Sequence, residues 1–361
     1  MLNPEAECTL YTNVPAIWQT MLDDCAAATK SIDMEQYIFC ADTVGRKFLE
    51  VFKEKARTGV RVRLLLDAVG SWSVYRNTQI HTELREAGVE LRWYNRFVPL
   101  LLHRLGSVYF RNHRKLLIVD GVIGHIGGVN IREDMRTWRE THARLRGLVV
   151  RSMVQSFTVL WRKCKISVPY LVKRPKGKEM LDFTFLTNSP GSRRGYVYKA
   201  VCKAIQQAQT RVWITVPYFI PPRHFMYLLK QARLRGVDVR VLLPEKNDLQ
   251  LLGIGMHSYF GTLLRSGIEL YLYQPSVLHA KVVVCDERWA TLGSLNFDNV
   301  SLRFNLEANL VSTRPELVHE LAGHFEQDLA QSKALTYDLW RQRPLTHKIL
   351  EKLLWPFHAL L

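Results

Sequence analysis

The sequence predicts an α/β protein of two similar βαβ-rich halves, with mainly parallel or mixed sheets flanked by helices and a pseudo-twofold internal duplication. Three observations predict it. Helix-like stretches end at Gly, a common left-handed stop, and β-branched apolar runs follow them. Four segments of the first half recur in the same order in the second. The pattern His-x-Lys-x4-Asp occurs once in each half.

The elements follow in order. Residues 27–39 read as a helix end and a strand, and residues 207–219 repeat them. A helix end, a Gly and a strand come next over 56–67, echoed by 235–244; residues 84–91 and 264–270 form the third pair. Strands separated by helices suggest βαβ units. Any two α/β segments look somewhat alike, but four matches in one order argue for a true repeat. A site shared by both halves of such a pseudo-dimer sits on its axis. The expected divisions are residues 1–172, residues 179–335 and an amphipathic tail over 336–361, with the basic stretch 173–178 as linker.

The fourth pair carries the chemistry. His113 and Lys115 precede the apolar run Leu116-Leu117-Ile118-Val119, then Asp120, and Gly127-Gly128-Val129-Asn130 follows. His279 and Lys281 precede Val282-Val283-Val284-Cys285, then Asp286, and Gly293-Ser294-Leu295-Asn296 follows at the same spacing. Side chains two apart on a strand share a face, so each His points with its Lys. Such a pair at the edge of a core is costly unless something anionic is held there. A lone histidine here would read as a satisfied core residue; duplication in register reverses that. Two ammoniums and two Asn amides suit the charge that develops on a phosphodiester in displacement, without a metal. One His can attack phosphorus while the other protonates the departing oxygen and activates the incoming one. No acidic or Cys ligands have zinc-like spacing, and no cofactor is expected.

Composition adds a partner class. The 361 residues carry 50 Lys and Arg against 33 Asp and Glu, a net charge of +17 that attracts nucleic acid or an anionic membrane. Solubility alone is the plainer account of that excess. A hydrophobic content of 47% excludes general disorder. Six scattered cysteines without CxxC spacing read as small buried hydrophobes in a reducing compartment. The N-terminus has no secretory pattern, and no apolar run approaches the roughly 20 residues of a bilayer span, so membrane contact is expected to be peripheral.

The paired motifs resemble those of the phospholipase D superfamily. Residues 35–39, 138–142, 217–221, 293–298 and 305–309 are similar to its bacterial cardiolipin synthase branch, over about residues 10–361. The resemblance implies a phosphatidyltransferase that moves a phosphatidyl group between phospholipids through a phosphohistidine. It implies His113 as nucleophile and His279 as general acid, then base. Lys115, Lys281, Asn130, Asn296 and Ser294 would hold the phosphate, and Glu307 would orient a histidine. Glu140 stands where the family often has Asp before Thr-His, which leaves Glu140 or His142 for that role in the first half. Asp120 and Asp286, grouped with the catalytic motifs, are expected to support the site.

Substrate class needs separate evidence. The apolar stretch 97–111, edged by Arg, and the Trp- and Lys-bearing segment 346–361 read as lipid-facing, although each also reads as a packed helix. Phospholipids such as phosphatidylglycerol, as donor and acceptor, and a peripheral surface at the cytoplasmic face of the cell membrane are the expected partners. Nucleic acid is not expected, as no binding module is visible. A phospholipase D-type hydrolase or metal-independent nuclease using the same motifs is the alternative, and a non-catalytic anionic-lipid binding protein is a further one.

Overall fold

The computed structural model describes residues 6–96, 110–164, 182–190, 195–346 and 348. The expected linker and its flanking boundaries, residues 97–109 and nearly all of the segment 346–361 lie outside them.

Among the described residues, seven strands of the first half form one sheet: β1 (Cys8–Asn13), β2 (Ser31–Gln36), β3 (Arg61–Asp67), β4 (Glu90–Tyr94), β5 (Leu116–Val119), β6 (Ile123–Gly127) and β7 (Arg139–Arg146). Eight form the other: β8 (Phe183–Asn188), β9 (Arg211–Thr215), β10 (Asp238–Pro244), β11 (Glu269–Tyr273), β12 (Val282–Cys285), β13 (Trp289–Gly293), β14 (Glu307–Ser312) and β15 (Ser332–Leu335). The first sheet runs β1-β7-β6-β5-β2-β3-β4. The second, read backwards, runs β8-β14-β13-β12-β9-β10-β11 with β15 added at the edge, so the duplication is complete at the level of topology.

Both sheets are mixed. Parallel pairing is confined to β2-β3-β4 and β9-β10-β11, where helices make the crossovers; every other neighbour is antiparallel. The reason is local. Each motif strand is followed by a tight hairpin, with Asp120 (φ 55°) and Gly121 (φ 68°) in one and Asp286 (φ 52°) in the other, and such a turn can join only antiparallel strands.

The helices are α1 (Val14–Ala26), α2 (Thr43–Arg57), α3 (Trp72–Tyr75), α4 (Thr78–Glu86) and α5 (Leu148–Lys163), then α6 (Tyr196–Gln207), α7 (Arg223–Leu234), α8 (Gln250–Arg265), α9 (Asn299–Arg303), α10 (Pro315–Ala330) and α11 (Tyr337–Arg341). The period-2 alternation of the motif strands sorts their residues into different cores. Leu116 and Ile118 join Val282 and Val284 in a core shared by both halves, to which α5 and α10 contribute. Leu117 and Val119 face the outer layer packed by α1, α2 and α4, while Val283 and Cys285 face its counterpart under α6, α7 and α8. The shared core fixes the two motif strands relative to each other. None of the six cysteines forms a disulfide, and Cys25, Cys202 and Cys285 are buried. Among the described residues, no helix is long and apolar enough to cross a membrane.

Candidate active site

Each motif histidine lies just ahead of its strand, where its backbone bonds to the opposite half. His113 N donates to Leu306 O at 3.0 Å and Leu306 N to Arg111 O at 2.9 Å. His279 N donates to Arg139 O at 2.8 Å and Arg139 N to Val277 O at 2.9 Å. These reciprocal bridges bring the start of β14 to His113 and the start of β7 to His279. A carboxylate stands at each start. His113 Nδ1 lies 3.0 and 3.1 Å from the two oxygens of Glu307, and His279 Nδ1 lies 2.9 Å from Glu140 Oε2. A carboxylate at Nδ1 holds the ring and its tautomer, leaving Nε2 for chemistry. Lys115 Nζ donates to His113 O at 2.6 Å, and Lys281 Nζ donates likewise to His279 O.

All four basic side chains are buried, and burial dominates their proton affinities. Desolvation lowers the His113 pKa, with Lys115 and Lys281 adding to the effect and Glu307 opposing it. His279 is held well below the ordinary histidine value by burial, then by Lys281, Lys115 and His113, with Asp248 opposing. Burial pushes Lys115 well down, and Lys281 to about 8. Charges of both halves therefore act on one space. Two buried lysines without an anion between them are each destabilised as cations, and a phosphodiester placed there would relieve both. Burial raises Glu140 to about 7 against the pull of Lys281.

The Gly-x-x-Asn segments pass close behind these groups. A Cβ on Gly128 would stand 2.3 Å from Glu140 Oε2, and one on Gly293 2.3 Å from Ala308 O, so only hydrogen fits at either position. Asn130 Oδ1 accepts from Ile38 N at 3.3 Å, while Asn296 is buried with no protein partner for its Oδ1.

Four sequence-predicted residues take other places. Ser294 does not face the phosphate space: its hydroxyl donates its one proton to Glu307 Oε2 at 2.5 Å and accepts from Ala308 N at 3.0 Å. Asp120 and Asp286 lie at the far ends of β5 and β12. Asp120 accepts from the backbone N–H groups of Thr29, Lys30 and Ser31, and Asp286 from those of Gln209, Thr210 and Arg211, so each pins a strand entrance and neither reaches the reacting space. His142, on the same face of β7 as Glu140, bonds His125 at 3.3 Å, which in turn bonds Asp24 at 2.7 Å; it is a core residue of the first half.

Three aromatics that the spacing did not single out wall the site. Tyr37 meets the His113 ring edge-on at 4.9 Å and lies 5.1 Å from Lys115 Nζ. Trp138 and Tyr218 approach His279, with ring centroids 5.4 and 6.5 Å away. Tyr218 Oη donates to Asp248 Oδ1 at 2.5 Å. Their sequence signal is membership of the stretches 35–39, 138–142 and 217–221 that carry the family resemblance.

Residues 21–156 and 201–329 match the family described as the cardiolipin synthase, phospholipase D-like domain. The chain belongs to the phospholipase D superfamily, in its bacterial cardiolipin synthase branch. It is 33% identical over 363 residues to a cardiolipin synthase of Geobacillus sp. (strain WCH70), covering 96% of this chain and 70% of that protein. It is 32% identical over 350 residues to the major cardiolipin synthase ClsA of Bacillus subtilis (strain 168), covering 92% of this chain and 71% of that protein. In fold it is similar to the crystal structure of a Haemophilus influenzae phosphatidylserine synthase, with a TM-score of 0.76 at 16% identity over 98% of this chain and 93% of that one. This member of the phospholipase D superfamily is a phosphatidyltransferase that works on phospholipids in association with a membrane.

Proposed function

We propose that the chain makes a cardiolipin-like product by transferring the phosphatidyl group of one phospholipid, such as phosphatidylglycerol, to the hydroxyl of another. The observation that supports this reading is reciprocal: each buried histidine has Nδ1 on a carboxylate of the opposite half, with both lysines acting on both rings.

His113 Nε2 attacks phosphorus and the bond to the departing glycerol oxygen breaks. His279, protonated once the bound phosphate's negative charge offsets Lys115 and Lys281, gives its proton to that oxygen, leaving a phosphatidyl-histidine on His113. The acceptor hydroxyl then loses its proton to His279 as its oxygen bonds to phosphorus, and the bond to His113 breaks. Lys115 and Lys281 neutralise the equatorial oxygens in both steps, assisted by Asn130 and Asn296. Microscopic reversibility suits one pair of histidines to both half-reactions. The division of roles has physical support, since Glu307 receives the Ser294 hydroxyl, whereas Gly128 offers Glu140 no such donor. The enzyme works peripherally at the cytoplasmic face of the membrane in this reading.

Mass spectrometry of lipids from cells expressing the wild type and His113→Ala tests it. New cardiolipin is expected from the wild type only, and His279→Ala is expected to accumulate the phosphatidyl adduct on His113. Cardiolipin formed by the His113→Ala protein would refute the mechanism.

A further inference from the structure

Two exposed apolar residues occupy equivalent places in the two halves. Trp72 stands five residues past the end of β3 and is 42% exposed; Leu249 stands five residues past the end of β10 and is 51% exposed. Strands β3 and β10 are counterparts, each running parallel beside the strand that leads to the site. Each apolar residue also follows a polar one that ties its loop to the site wall. Ser71 Oγ donates to Tyr37 O at 3.0 Å, and the Tyr37 ring touches His113. Asp248 accepts the Tyr218 hydroxyl, and the Tyr218 ring faces His279. Each apolar residue thus stands one position beyond a residue bonded to a tyrosine whose ring meets a motif histidine, one in each half.

Their surroundings fit a wet, anionic boundary. Trp72 stacks on Tyr75 at 5.7 Å, and the Arg76 guanidinium lies 5.7 Å from the Trp72 ring centroid. Val69 is 38% exposed beside them, and exposed Lys246 precedes Leu249. Trp with Arg or Lys is the pairing that sits at the headgroup level of a bilayer, one end apolar and the other solvated.

We infer that Trp72 and Leu249 form a two-sided lip that seats the cleft on an anionic phospholipid bilayer, so that a lipid phosphate can enter between them while its acyl chains stay in the membrane. This rests on the proposed lipid substrate and adds the surface by which that substrate is reached. A buried phosphate site acting on a two-chain lipid needs such a seat, because lifting both chains into water would expose their whole apolar area.

Sedimentation of the full chain with vesicles of phosphatidylglycerol and phosphatidylcholine tests the lip. Trp72→Ser with Leu249→Ser is expected to weaken partitioning about tenfold or more, each single change less, and Trp72→Phe to retain most binding. Leu234→Ser, at a 79% exposed leucine that ends α7 just ahead of β10, at the other end of the strand from Leu249, is the control expected to bind as the wild type does. Thermal unfolding midpoints show that the variants are folded. Wild-type partitioning by the double variant, or an equal loss in Leu234→Ser, would overturn the lip. A wild type that binds vesicles yet converts no lipid would instead overturn the proposed reaction and leave the lip standing.

Discussion

His113 Nδ1 lies 3.0 Å from Glu307 Oε1, although the two residues are 194 positions apart and belong to opposite halves of the chain. The mirror contact joins His279 to Glu140, 139 positions earlier. Neither half fastens its own histidine; the site exists only where they meet.

Replacing Glu307 by Gln keeps the shape but lets the amide present its N–H toward Nδ1 and favour the wrong tautomer. We expect kcat to fall on the order of 10²–10⁴-fold with KM little changed, by analogy with the loss of the orienting carboxylate in serine hydrolases. Steady-state kinetics checks it; retention of more than about a tenth of wild-type kcat would mean that Glu307 does not set the tautomer.

On the alkaline side Lys281, which burial brings to about 8, should add a loss of its own to that from deprotonation of His279. Above that value it loses its charge and its hold on the phosphate, so kcat/KM is expected to fall as pH rises past about 8. Because His113 is pushed below the ordinary histidine value, it stays unprotonated and nucleophilic into mild acid, and the acid limb should lie below 6.5. A profile flat from 7 to 10 would contradict the lysine assignment.

Glu140 makes a prediction about stability with the opposite sign to that of an ordinary paired carboxylate. Its folded pKa of about 7 lies above the ordinary glutamate value of 4.5, so the folded state binds its proton more tightly. That contribution is fully present below about 4.5 and is lost as pH rises through 7. Glu140→Gln should therefore flatten the decline of the unfolding midpoint between pH 4.5 and 8, while reducing turnover. Scanning calorimetry at several pH values would show whether the slope changes.

Asp120 should matter to folding and hardly at all to chemistry. Its carboxylate accepts from four donors of Thr29, Lys30 and Ser31 at a positive-φ position. Asp120→Ala is expected to cost about 1–3 kcal/mol of stability by leaving those donors unmet, with kcat within about threefold of wild type. A loss of turnover as deep as that of His113→Ala, without loss of stability, would place Asp120 in the reaction after all.

Much of this was legible in the residues themselves. Identical spacing from His113 to Asn130 and from His279 to Asn296 announced two halves of one site, and the unbroken apolar run Leu116 to Val119 was readable as a buried strand, packed on both faces. What stayed hidden depends on long-range register. Glu140 and His142 share a face of β7, and only the bridge from Arg139 to Leu278 decides that the first meets His279 while the second packs on His125. Parallel pairing was easy to overestimate, because four-residue motif strands do not display the hairpins that reverse them. Ser294 was misplaced because a hydroxyl beside a phosphate site and one beneath a carboxylate have the same sequence signature.

The pair Gly128 and Ser294 carries a consequence for ancestry. Two identical subunits joined about a true dyad would have to give both histidines the same surroundings, and then neither could be specialised. Once both copies are encoded in one polypeptide, each can drift alone. A serine can settle under one carboxylate and a bare backbone under the other, and the two ends of a once-symmetric reaction become distinguishable. Carrying both halves on one chain is what allows the two rings different surroundings, with Ser294 bonded to one carboxylate and Gly128 beside the other.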